Sequence, residues 1–123
     1  MSLNDFNTAL EARAALVARM AAFHENYDVL VSPMLPITAF AAGHNVPPGS
    51  GMDEWTQWTP FTYPFNLTQQ PAASVPCGLA NGLPVGLHVV AARFADEKVL
   101  RVCRAYADAF PTQHLRAPKD STP

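Results

Sequence analysis

Lysine is nearly missing from this sequence: Lys98 and Lys119 are the only two among eight cationic residues. The formal charge is −2 and no basic run or stripe occurs. A nucleic-acid surface needs clustered Lys and Arg to displace counterions, so that partner class is excluded. No uninterrupted apolar stretch approaches the length a membrane span requires, and no membrane partner is expected. The first residues lack a leader's order of basic region, apolar run and cleavage site. Cysteine is as sparse as lysine. Cys77 and Cys103 both lie in apolar segments, which suits reduced thiols and a cytoplasmic location. His24, His44, His88 and His114 include no pair at ligand spacing, and no Cys-x-x-Cys is present, so neither a metal nor another cofactor is expected.

What the chain does have is apolar mass, 49% of 123 residues, enough for a buried core in one small or partial domain. A helix is expected over 5–27, where Leu16, Met20, Phe23 and Tyr27 fall on one face and Phe6, Leu10, Val17, Ala21 and His24 widen it. Asn4, Asp5 and Asn7 offer capping acceptors, and Thr8 with Glu11 has capping-box spacing. The run 28–33 is short and rich in branched residues, as in a strand buried on both faces of a parallel sheet, and Pro33 closes it.

From 34 to 64 prolines and glycines break any period, and Pro47-Pro48-Gly49-Ser50-Gly51 reads as loop. Yet Phe40, Trp55, Trp58, Phe61 and Tyr63 crowd that segment, so its second half is expected to pack. A β-hairpin over 71–91 turns at Asn81-Gly82, two residues that tolerate the positive φ of a type I′ turn. A second helix over 96–110 begins at Asp96 and Glu97, acids that suit the positive end of its dipole. A polar tail fills 112–123. The class is α/β.

Residue types alone give no catalytic constellation. With Asn81-Gly82 as the loop, Cys77 faces Gly86 and becomes a diagonal neighbour of His88, roughly 7–8 Å away. Nothing nearby supplies the cation or helix end that would activate the thiol. Ser50 lacks a strand-to-helix elbow, and Ser32 and Ser74 sit in strand-like runs without a suggested base.

The run Pro60-Phe-Thr-Tyr-Pro-Phe-Asn-Leu-Thr-Gln-Gln-Pro-Ala-Ala-Ser-Val-Pro-Cys-Gly78 is followed by Asn81-Gly-Leu-Pro-Val-Gly-Leu-His88 and by Asp96-Glu97 with Val99 and Leu100. In that order these motifs resemble the C-terminal region of the amidase-signature family. Asp5-Phe6, Ala9, Arg13, Tyr27-Asp28-Val29-Leu30 and Ser32-Pro33 match the helix and strand preceding it. The resemblance implies helices packed on a mixed β-sheet and hydrolysis or transfer of amide groups through a Ser–cis-Ser–Lys triad. It places that triad N-terminal to anything here, so no catalytic residue carries over. Substrate contacts are implied at Pro33, Met34, Phe61, Thr62 and Asn66, flanking the family's substrate funnel.

Gln69 stands where the family usually has Gly, His88 where it has Gln, and Ala92 where it often has Gly. Thr59 occupies the place of an Asp that holds the substrate's amino group in glutamine-using members, which points to a less polar amide. Two readings follow. One is a C-terminal fragment of an amidase, inactive alone, whose partner is a small amide only when the N-terminal part is present. The other is a free-standing binding module derived from that lobe. Large apolar faces left uncovered imply self-association of the isolated chain.

Overall fold

The computed structural model describes residues 1–111; the tail expected over 112–123 lies outside the described residues. Helix α1 spans Leu3–Phe23 and strand β1 Val29–Pro33. A 3-10 turn at Trp55–Trp58 and a short helix α2 at Tyr63–Thr68 follow, then β2 (Ala72–Ala80), β3 (Leu83–Ala91) and α3 (Asp96–Ala109). The strands form one antiparallel sheet in the order β1-β3-β2.

The start of α1 is set by Ser2 and Asp5 rather than by Thr8 and Glu11. The Ser2 hydroxyl accepts from the Asp5 N–H at 3.1 Å while the Asp5 carboxylate accepts from the Ser2 N–H at 2.7 Å. These reciprocal bonds satisfy two orphan donors of the first turn and hold the Asp5 carboxyl below its usual range. No residue of α1 is buried; Leu16, Val17, Met20, Phe23 and His24 are half-covered and its first three turns are exposed.

β1 differs from the doubly buried parallel strand expected of its composition. It pairs antiparallel with β3 at the sheet's edge, and Val31 is 52% exposed. The prolines explain why β1 and β2 are edges. The Met34 N–H donates to Gly86 O at 2.9 Å, so by alternation Ser32/His88 and Leu30/Val90 are the hydrogen-bonded pairs. Pro33 therefore sits where its missing N–H would face away from β3, and the ladder loses nothing. The Ala91 N–H donating to Pro71 O does the same for β2, leaving Pro76 at an outward position.

The hairpin closes through Asn81 (φ 52°) and Gly82 (φ 78°), both in the left-handed region that a type I′ turn requires. Between Pro76 and Gly78 the register shifts by one residue: Pro76 faces Gly86 and Gly78 faces Val85. Cys77 is thus the extra residue of a β-bulge.

α3 covers one face of the sheet. Val99 is buried there with Val89 and Ala91, and Val29, Ala73, Leu87, Val102 and Cys103 complete the cluster. Burying each valine contributes about 1.5–3 kcal/mol. The other face carries Gly86, His88 and Val90, with the Phe65 ring of α2 edge-on to His88 at 5.3 Å. The core is small, and large apolar side chains stay outside it: Leu3, Phe6, Leu10, Phe94 and Leu100 are all exposed.

Candidate functional site: an apolar groove beside a serine–histidine row

Two of the residues implied as substrate contacts, Pro33 and Met34, line a groove of about 730 Å³. Its walls are the end of β1, the segment from Leu35 to Ala39, and the hairpin residues Cys77, Val85, Gly86 and Leu87. Local chemistry builds it. The Met34–Gly86 bond extends the β1–β3 pairing one residue past Pro33, and Pro36 prevents its continuation. Gly86 lets the Ser74 and Met34 side chains close over the strand: a Cβ there would stand 2.3 Å from Ser74 Oγ and 3.2 Å from the Met34 Cβ. Among the described residues no charged side chain lines the groove. It suits an apolar substituent rather than an ion.

Behind this groove the register aligns Ser32, His88 and Ser74 across all three strands. Residue spacing alone makes Cys77 the neighbour of His88; the bulge shifts that frame, and Ser74 stands opposite His88 instead. Cys77 donates to Val85 O at 3.5 Å and lines the groove as a small apolar group. His88 is only 2% exposed, and burial pushes its imidazole below the usual histidine value. Its Nδ1 lies 3.4 Å from Ser32 Oγ, whose proton is directed to Pro33 O at 3.0 Å. A general base needs closer approach, about 2.6–3.2 Å, and an orienting acid on its second nitrogen. Among the described residues no carboxylate hydrogen-bonds His88. The row is a neutral, packed imidazole satisfied by a serine.

Phe61, Thr62 and Asn66 are placed apart from the groove, in and before α2. Phe61 and Asn66 are exposed, while the half-buried Thr62 donates its hydroxyl to Thr59 O at 3.2 Å. Thr59 is buried and its own hydroxyl donates to Trp55 O. That position is occupied with holding a turn together and offers no charge to an amino group. α2 itself ends at Gln69, whose φ of 57° is the left-handed C-cap conformation that glycine adopts without strain. The Arg93 guanidinium donates to Gln69 Oε1 at 2.9 Å and steadies it.

The contributions of Gly86 and Ser74 to the site are not legible from spacing, because the bulge moves the register. Pro76 inside a strand is the available signal, since proline in a ladder marks an edge or a bulge.

Residues 2–100 match the sequence profile of the Amidase family. The chain belongs to that family. It is 39% identical over 100 residues to the A subunit of glutamyl-tRNA(Gln) amidotransferase from Thermotoga maritima, covering 81% of this chain and 20% of the relative. The crystal structure of that relative superposes with a TM-score of 0.76 at 38% identity over 86% of this chain and 23% of its own. A bacterial aryl acylamidase of the amidase-signature family superposes with a TM-score of 0.77 at 27% identity, over 97% of this chain and 26% of its own. The chain thus spans about a fifth of the length of the curated relatives it matches.

Proposed function

We propose that this chain is the C-terminal lobe of an amide hydrolase, inactive alone, which seats the apolar part of an amide against a nucleophile carried by other residues of the enzyme. The observation that carries the reading is the family match over residues 2–100 combined with an apolar groove at Pro33 and Met34 whose described walls bear no charge. The parent reaction would be hydrolysis of a carboxylic amide to acid and ammonia or amine. Phe61, Thr62 and Asn66 would complete the substrate surface once the remaining lobe stands over α2.

The substrate class is argued from Thr59 and the groove. A glutamine-type substrate brings an ammonium group that needs a carboxylate, and the buried Thr59 hydroxyl is tied to Trp55 O. An aryl or alkyl amide needs only apolar surface, as in the groove. The test is hydrolysis of a simple anilide and of glutamine by the 123-residue chain. Neither should turn over above buffer, and Ser32→Ala, Cys77→Ala and His88→Gln should change nothing. Turnover by the chain alone that Ser32→Ala abolishes would sink the reading.

A further inference from the structure

The tip of the β2–β3 hairpin juxtaposes a free carboxamide and a free backbone nitrogen. Asn81 is the one asparagine in the sequence that precedes a glycine, and both residues are exposed. Among the described residues no hydrogen bond engages the Asn81 side chain or the Gly82 N–H beside it. Gly82 also has room around it, since a Cβ built there meets nothing within 4 Å.

The other asparagines lack this combination. Asn4, Asn7 and Asn66 lie within helices, whose backbone is held in place. The N–H that follows Asn26 belongs to Tyr27 and donates to Phe23 O at 3.2 Å. Asn45 is as exposed as Asn81 but precedes Val46, whose branched side chain crowds its own nitrogen.

We propose that Asn81 is a site of spontaneous modification, converting to aspartate and isoaspartate and so altering the rim of the groove. Gly82 N gives up its proton to solvent base and attacks Asn81 Cγ, forming a new C–N bond. The Cγ–Nδ2 bond breaks, and the nitrogen leaves with that proton as ammonia. Water then opens the cyclic imide. Attack at Cγ yields aspartate, and attack at the main-chain carbonyl carbon yields isoaspartate, with the chain running through Cγ. Water is the only co-reactant.

Ring closure requires Asn81 to leave its left-handed backbone, φ 52°. The tip can yield because the bulge at Cys77 divides its last pairs, Gly78–Val85, Leu79–Pro84 and Ala80–Leu83, from the continuous ladder below. Ala80 and Pro84, which flank the turn, line the groove, and its described walls bear no charge. Either product sets a carboxylate beside them. Isoaspartate also lengthens the main chain, which a two-residue turn absorbs only by shifting the register it fixes. The site stands independently of any enzymatic role.

Peptide mass spectrometry of the full folded chain, aged in mildly alkaline buffer, tests this, with fragmentation that separates isoaspartate from aspartate. The same chain in urea gives the unhindered rate. Asn81 of the folded chain should gain about one dalton, as NH₂ is exchanged for OH, while Asn45 stays intact. The aged form, isolated by ion exchange, should show displaced amide resonances at Ala80 and Val85. Conversion of Asn81 in urea but not in the folded chain would overturn the proposal. Equal conversion of Asn45, or unmoved resonances at the groove, would do the same.

Discussion

His88 shows what a single burial does to both stability and chemistry. Enclosed between Ser32, Ser74 and the Phe65 ring, the imidazole loses hydration, and its neutral form is favoured. The unfolded chain binds a proton at the ordinary histidine value of about 6.5, and the folded chain only at lower pH. Stability from the neutral imidazole is therefore complete above that value and is lost as pH falls toward the depressed folded value. The lowered carboxyls of Asp5 and Asp28 titrate further down and do not overlap this window. His88→Gln should consequently lose less stability than the wild type between pH about 7.5 and about 5.5, measured as urea midpoints. Identical slopes would show that His88 is hydrated. Gln is also the residue the family resemblance implies at this place, so the substitution should fold.

At the scale of elements, the sequence speaks clearly wherever local chemistry decides. Asn81-Gly82 dictates its turn through positive φ, and Asp96-Glu97 opens α3 through the helix dipole. It speaks poorly where pairing partners decide. The branched residues of β1 suggest full burial, yet its neighbours leave it an antiparallel edge, and only the outward placement of Pro33 explains how it ends there. α2 is hidden because Pro64 and the aromatics around it read as loop. Proline is nevertheless at home in a first helical turn, where its missing N–H has no partner to lose. The same applies to the groove: its residues Pro33 and Met34 lie at the Ser32-Pro33 motif, whereas the pairing of Ser74 with His88 depends on the bulge at Cys77.

α2 also carries a measurable strain. Gln69 holds a left-handed C-cap that costs a side-chain residue about 1–2 kcal/mol relative to glycine, partly offset by the Arg93 bond. Gln69→Gly should stabilise the fold by about 0.5–1 kcal/mol after the added freedom of the unfolded chain is counted. A stability loss in chemical denaturation would mean that the Arg93 contact outweighs the backbone term.

For the whole molecule, the decisive feature is the mismatch between apolar content and core size. The buried cluster at the α3 face is small, while Leu3, Phe6 and Leu10 on α1, Leu100 on α3 and Phe94 before it stay in solvent. Phe94 is 87% exposed and held at φ 66°, an unfavourable backbone for a bulky residue to adopt in order to face water. Such surface drives association. The isolated chain should therefore scatter light as a dimer or larger species, and Phe6→Ser with Leu10→Ser should shift it toward monomer. A monodisperse wild-type monomer would contradict this.

The lobe is proposed to shape an amide site without performing the chemistry. The most direct measurement replaces the matching C-terminal region of the Thermotoga maritima relative with this chain and compares amide hydrolysis by the hybrid and by the chain alone. Turnover is expected in the hybrid, with a KM that rises several-fold on Met34→Ala, and none in the isolated chain. A folded hybrid without activity, or an isolated chain with it, would contradict the claim.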